Sequence, residues 1–272
     1  MKNLSVRHIK ELSYTSFLGL INQWNVPPGA YETINKWVTF SNMDKNSHVL
    51  EIATTTGFSL RESSVLSGCS GVGIDISEDS IRAAQLNKSK YLPDSKIEYT
   101  VDDAYKYLPD KPFSHVIIGA ALRFFDEPEK VIEKCVKDFW ESEGYLLSCE
   151  FYIVEDIPQS LVDKAYEVFG IHITQVPYKE VMSVYEGLEL IYEDRKKPIP
   201  ETEEELQYYC KCTIDRVVQE KGIKDEEIYQ ALFDRLYLIK KTSNDLREYQ
   251  NYNILVHRYR KNLFPNRYVE LF

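Results

Sequence analysis

The chain has 272 residues, of which 43% are hydrophobic and 28% charged, the composition of a soluble globular protein too long for one minimal domain and too short for two full ones. Its net charge of −10 opposes a nucleic-acid backbone, which calls for a basic footprint, so RNA and DNA are not expected partners. No apolar run approaches the roughly 20 residues that span a bilayer, and no signal peptide precedes the polar start at Met1–Arg7, so a cytoplasmic protein with no membrane attachment is expected.

Ile9, Leu12, Phe17, Leu20 and Ile21 recur at near-helical spacing behind a capping Ser5, which predicts one helix over 5–23. Asn25-Val26-Pro27-Pro28-Gly29 breaks it, and Tyr31, Ile34, Trp37, Val38 and Phe40 mark a second helix. Strand 48–52, a helix over 58–67 stopped by Gly68, and strand 72–76 follow. Ser77 caps a helix carrying Ile81, Ala84 and Leu86, and Pro93-Asp94 turns the chain into strand 97–101. Strand 113–119 is continuously apolar at Val116, Ile117 and Ile118, as a strand buried on both faces should be. Asp126-Glu127-Pro128 starts a helix with the stripe Val131, Ile132, Cys135 and Phe139, which Gly144 is expected to end before strand 145–152. Beyond Glu155 come helix 158–169, strand 188–194 and a break at Lys196–Pro200. A capping box at Thr202–Glu205, helices near 204–220 and 226–241 and a strand at 252–256 complete the pattern. The five cysteines, Cys69, Cys135, Cys149, Cys210 and Cys212, lack zinc spacing and read as reduced thiols, and no metal site is expected from the five histidines.

Strands alternating with helices of this length give an α/β fold with a seven-stranded, mostly parallel sheet covered on both faces. The strand Val49–Ile52 runs into Ala53-Thr54-Thr55-Thr56-Gly57-Phe58, small residues ahead of a helix start, and the next strand ends on Asp75. This is the layout of a nucleoside-binding turn, with an acid one βαβ unit later to hold a ribose diol. Ala53 and Thr55 stand where a dinucleotide fingerprint has glycine, and no phosphate-cradling lysine follows, so a nucleotide-dependent dehydrogenase fits poorly. With Asp103-Ala104 after the third strand, the set resembles the class I S-adenosylmethionine-dependent methyltransferases of the small-molecule type over about residues 45–155, with two of the first motif's three glycines replaced.

The resemblance implies a Rossmann-like core at 45–200 and 248–272, an N-terminal helical lid at 1–44 and a helical insertion at 201–247 capping the site. It also implies S-adenosylmethionine as cofactor, with Asp75 on the ribose, Asp103 on the adenine amino group with Asp102 as its competitor, and Glu51 supporting the loop beside the methionine part. Ala53, Thr54, Gly57, Ile76, Ala104 and Gly119 complete the expected cofactor shell, and the hydroxyls of Thr54 and Thr56 could bond the amino-acid end. A nucleophile already basic enough needs only positioning, whereas a hydroxyl acceptor needs a base, for which Glu150, Tyr14 and His115 are the candidates. Glu150 and His115 each have a competing structural reading, and Arg123 either meets a substrate anion or pairs with Asp126. The expected activity is methyl transfer to a small-molecule acceptor; the alternative is an inactive, cofactor-binding partner or regulatory subunit. A homodimer is left open.

Overall fold

The computed structural model describes residues 4–24 and 26–263. One sheet contains β1 (His48–Ile52), β2 (Ser70–Asp75), β3 (Ile97–Val101), β4 (His115–Gly119), β5 (Glu143–Ile153), β6 (Glu189–Lys196) and β7 (Gln250–Arg260). The strand order is β3-β2-β1-β4-β5-β7-β6. The first five strands are parallel, and β7 lies antiparallel between β5 and β6. The order reverses at β1, which pairs with β2 on one side and β4 on the other, and in such sheets the ligand crevice lies beyond the carboxyl ends of those strands.

The helices are α1 (Val6–Glu11), α2 (Tyr14–Leu20), α3 (Tyr31–Phe40), α4 (Phe58–Ser67), α5 (Glu78–Tyr91), α6 (Pro128–Lys134), α7 (Gln159–Phe169), α8 (Tyr178–Ser183), α9 (Glu203–Lys221) and α10 (Glu226–Leu246). Alternate side chains of the central strands feed two cores. Val49, Ile117, Leu147 and Ile254 pack with Ile34 and Trp37 of α3, Leu60 of α4 and Ile81 of α5. Leu50, Val116, Leu146 and Leu255 pack with Val131 and Ile132 of α6 on the opposite face. A third core stands apart from the sheet: Ile9, Phe17 and Ile21 from the N-terminal helices join Ala165 of α7, Cys210, Ile214 and Val217 of α9 and Leu232 and Leu236 of α10. The segments flanking the core in sequence therefore share one apolar interior.

The predicted helix 5–23 is two helices. Ser13 caps α2 by accepting from Ser16 N at 3.1 Å, as Ser5 caps α1 by accepting from His8 N at 3.2 Å, so the backbone turns between them. Gly144 does not stop a helix. The α6 backbone widens into a π turn at Cys135–Phe139, and Gly144 lies in β5, where a Cβ would stand 2.1 to 2.3 Å from the Trp140 ring. Cys69, Cys135, Cys149 and Cys210 are buried free thiols, while Cys212 is exposed. None of the described helices is long and apolar enough to cross a membrane.

Candidate active site

The loop from β1 to α4 takes the path that its missing glycines would have allowed. Ala53 and Thr55 hold φ of 55° and 49°, and Gly57 holds 76°, all in the left-handed region that disfavours a side chain. Side chains from several elements keep it there. The Thr54 hydroxyl donates to Glu51, while Thr54 N donates to Ile74 O at 3.0 Å. Asn87 of α5 donates to Thr56 O at 3.0 Å, and the Tyr99 hydroxyl donates to Gly57 O at 2.8 Å. Gly57 is fixed by contact as well: a Cβ there would lie 2.6 to 2.8 Å from the Tyr99 ring.

Asp75 closes the other side of this loop. One carboxylate oxygen accepts Thr55 N and the other Ser77 N, each at 2.9 Å, so the acid ties the β1 loop to the start of α5. Burial raises its pKa, opposed by the N–H groups of Ser77, Thr55 and Ile76. Two carboxylate oxygens offer about four acceptor sites, which leaves capacity for a donor diol. Ile76, the next residue, is 75% exposed, an apolar side chain presented at the mouth of the crevice beside the acid.

Glu51 is buried in β1. Its carboxylate accepts Leu60 N at 3.2 Å as well as the Thr54 hydroxyl. Burial pushes its pKa up to about 7, opposed by bonds from Thr54, Ser59 and Leu60 and by the charge of Arg61. Asp103, beyond β3, accepts Tyr105 N at 3.0 Å and pairs with Lys106 at 3.0 Å, which holds its pKa low. Asp102 accepts Asp103 N at 2.8 Å and so shapes the turn. Ala104 is buried behind it. Gly119, at the end of β4, has φ of 60°, and a Cβ on it would meet nothing within 4 Å, so this strand end faces open space.

The three candidate bases are dispersed. His115 is at the amino end of β4, the wrong end of the sheet. Its ring nitrogens lie 2.8 Å from Ser114 Oγ and 3.2 Å from Ser41 O, burial depresses its pKa to about 4, and it is a core histidine outside the crevice. Glu150 is 1% exposed; it accepts a hydrogen bond from the Tyr185 hydroxyl, which also lies 2.9 Å from Ser148 Oγ. Burial raises its pKa to about 7. Tyr14 packs edge-on against Phe169 at 5.4 Å, and burial with the neighbouring Tyr209 raises its pKa to about 12. Arg123 does not pair with Asp126; it donates to Glu180 O at 2.9 Å and Val181 O at 2.8 Å, capping the last turn of α8. Asn87, Tyr99 and Tyr185 carry no signal in the sequence, since each acts across 31 to 42 positions.

The N-terminal segment meets these residues. Ser80 Oγ donates to Thr15 O at 3.0 Å, Ser16 Oγ lies 3.2 Å from Ser77 Oγ, and the Thr56 hydroxyl donates to Gln23 O at 2.9 Å, so α2 and its following segment dock on β2's end and on the loop. Sheet order, left-handed loop, terminal acid and exposed apolar residue are together those of a class I methyltransferase fold. Comparison with known proteins agrees. The methyltransferase domain family profile matches residues 43–231, and the chain belongs to that family, the S-adenosylmethionine-dependent methyltransferases of class I. A search of curated proteins found no significant match. Among solved structures the chain is similar to the MccD protein at 25% identity and a TM-score of 0.69, covering 87% of this chain and 100% of that one. It shares its fold with an S-adenosylmethionine-dependent methyltransferase from Thiobacillus denitrificans at 15% identity and a TM-score of 0.63, covering 89% and 96%. A phosphoethanolamine N-methyltransferase from Haemonchus contortus shares it at 15% identity and a TM-score of 0.61, covering 94% of this chain and 60% of that one.

Proposed function

We propose that this chain methylates a small molecule held between the sheet and a roof built from α1, α2 and α3 together with α9 and α10. The observation that carries this reading is a contact set: the N-terminal helices share one core with α7, α9 and α10, and the N-terminal segment is hydrogen-bonded to the β1 loop and to the start of α5. A roof over the strand ends suits a small acceptor, because it holds and desolvates a compact ligand. The net charge of −10 argues in the same direction, away from nucleic acid. The Haemonchus contortus structure that shares this fold holds phosphomonomethylethanolamine with S-adenosylhomocysteine.

The residues fit the cofactor. Gly119 leaves open space at β4, Asp75 keeps acceptor capacity beside the exposed Ile76, and the loop holds its left-handed path without the family's glycines. In this reading Asp75 binds the ribose, Ile76 covers one face of the adenine, Asp103 and Ala104 flank its amino edge, and Glu51 with Ala53, Thr54 and Gly57 shapes the loop at the methionine end. Bound S-adenosylmethionine supplies an electrophilic sulfonium methyl. The chain contributes orientation and exclusion of water, which suffice for an amine or thiolate acceptor. Glu150 is too enclosed to reach an acceptor, and it acts through Tyr185 as part of the wall. The methyltransferase family match favours an enzyme over an inactive binding subunit. The test incubates the protein with methyl-labelled cofactor and a metabolite extract: label is expected in a low-molecular-weight product. Cofactor binding by calorimetry with label transferred to no small molecule would overturn the reading.

A further inference from the structure

Arg61 lies in the first turn of α4 and is 2% exposed, yet it is barely hydrogen-bonded. Its Nε donates to Glu62 at 3.2 Å, and Nη1 and Nη2 have no hydrogen-bond partner. Ring faces surround it, and Glu51 of β1 is near enough to feel its charge. The guanidinium carbon is 4.7 Å from the Trp24 ring centroid, 5.6 Å from that of Tyr91 and 5.7 Å from that of Phe58. Trp24 meets Tyr91 edge-on at 5.4 Å and leans on Phe58 at 5.9 Å.

The position of Trp24 gives this cage a consequence for the crevice. Trp24 follows Gln23, whose carbonyl accepts the Thr56 hydroxyl at 2.9 Å, and Gln23 Nε2 donates to Trp24 O at 3.0 Å. Left-handed residues lie on both sides of it, Asn22 and Ala30, each with φ of 47°. The Trp24 ring is thus the side-chain attachment of the stretch between α2 and α3 to α4, the helix that the cofactor loop leads into, beside Tyr31 of α3, whose ring meets Phe58 at 5.3 Å. We infer that Arg61 is a positioning residue: with Trp24 it forms a latch that sets how long the roof stays closed over the bound cofactor, a statement that rests on the proposed cofactor site.

Two opposing effects make the latch reversible. Cation–π attraction to three rings strengthens as water leaves. Closure also strips water from two N–H-bearing nitrogens that find no acceptor, and opening rehydrates them. An element so balanced is biased by whichever ligand prefers the closed form.

The experiment compares wild type with Arg61→Met, Arg61→Lys and Trp24→Phe. S-adenosylhomocysteine dissociation is followed by stopped-flow fluorescence, and amide exchange at 22–24 is measured without ligand. Trp24 is the half-buried one of three tryptophans, Trp37 and Trp140 being buried, so its emission reports the ring. Arg61→Met is expected to speed dissociation roughly tenfold, with association changed less than about twofold. Arg61→Lys, which keeps the charge, should fall between the two. Exchange at 22–24 should rise in Arg61→Met and in Trp24→Phe. Folded variants with wild-type dissociation and exchange overturn the latch. Should Arg61→Met fail to fold, Trp24→Phe, which lacks the fluorescent reporter, is judged by the same exchange criterion and by the release rate of radiolabelled S-adenosylhomocysteine; wild-type values in both overturn the latch. If wild type binds no S-adenosylhomocysteine, the proposed function fails, while the exchange data still decide the latch.

Discussion

Replacing Ala53 by glycine should stabilise this protein, against the usual effect of a core mutation. Ala53 is held at φ of 55°. A residue with a Cβ in that region costs about 1–2 kcal/mol relative to the right-handed form. Glycine removes the cost and adds about 0.5–1 kcal/mol of chain entropy lost on folding. The net gain is roughly 0.5–1 kcal/mol, and at about 2–4 °C per kcal/mol for a chain of this size the melting temperature rises by about 1–4 °C. Ala53→Val should move the other way by more than 1 kcal/mol, roughly, because a β-branched side chain in this region is an outlier. Thr55→Gly should be near neutral: the strain relieved at φ of 49° is offset by loss of the buried hydroxyl, which donates to Ala53 O at 3.2 Å. Differential scanning calorimetry of the three variants checks the set. A glycine at 53 that lowers the melting temperature by several degrees, with valine tolerated, would mean the loop does not follow this path.

Three further outcomes are expected. Glu150 has a pKa of about 7 against an ordinary 4.5, so the stability it contributes is complete below about 4.5 and is lost as pH rises through 7. The buried His115 and His257, lowered to about 4 and about 3, lose stability as pH falls below 6.5; subtracting the urea midpoints of Glu150→Gln from those of wild type cancels them, and a difference that does not change between pH 4.5 and 7 refutes the assignment. Arg235 of α10 donates to Ile9 O, to Leu12 O at 2.6 Å and to Ser13 O at 3.4 Å, so Arg235→Met should lower the local stability of α1 by about 1.5–3 kcal/mol, read as faster amide exchange over 6–12. Asp75→Ala should weaken S-adenosylhomocysteine binding by about 1.5–3 kcal/mol per lost ribose bond and also lower the melting temperature, because Thr55 N and Ser77 N lose their acceptor; Asp103→Ala, half-exposed and paired with Lys106, should lose less, and calorimetry showing equal losses would reassign the ribose.

The sheet was legible because its information is local. Each buried strand is a short apolar run between turn residues, and the helix starts at Ser77 and Thr202 are capped as their sequences require. The place of Asp75 beside the loop was legible because the acid ends a strand whose neighbour carries the small-residue loop; its ribose role is proposed. The misreadings share one cause, contacts between distant residues. Gly144 looks like a helix stop until the Trp140 ring is placed against it. His115, open in the sequence to a core or a chemical reading, lies at the amino end of β4, away from the strand ends that carry the loop. Glu150 at a strand end reads as base or as structure, and its hydroxyl partner Tyr185, 35 positions later, is not visible from the sequence.

The replaced glycines illustrate the same point at the site itself. Glycine motifs permit a loop conformation cheaply, and they do not by themselves enforce it. Here enforcement comes from outside the motif. Asp75 accepts the Thr55 amide, Asn87 donates to Thr56 O, Tyr99 to Gly57 O, and the Thr54 hydroxyl to Glu51, so four side chains from β1 itself, β2, α5 and β3 over-determine a path that Ala53 and Thr55 would not choose alone. Strain of this kind persists only where the surroundings hold it. Losing two glycines is therefore compatible with an intact crevice, provided those four anchors remain. Gly57 is retained because no anchor can replace it: the Tyr99 ring occupies the volume that a Cβ would need.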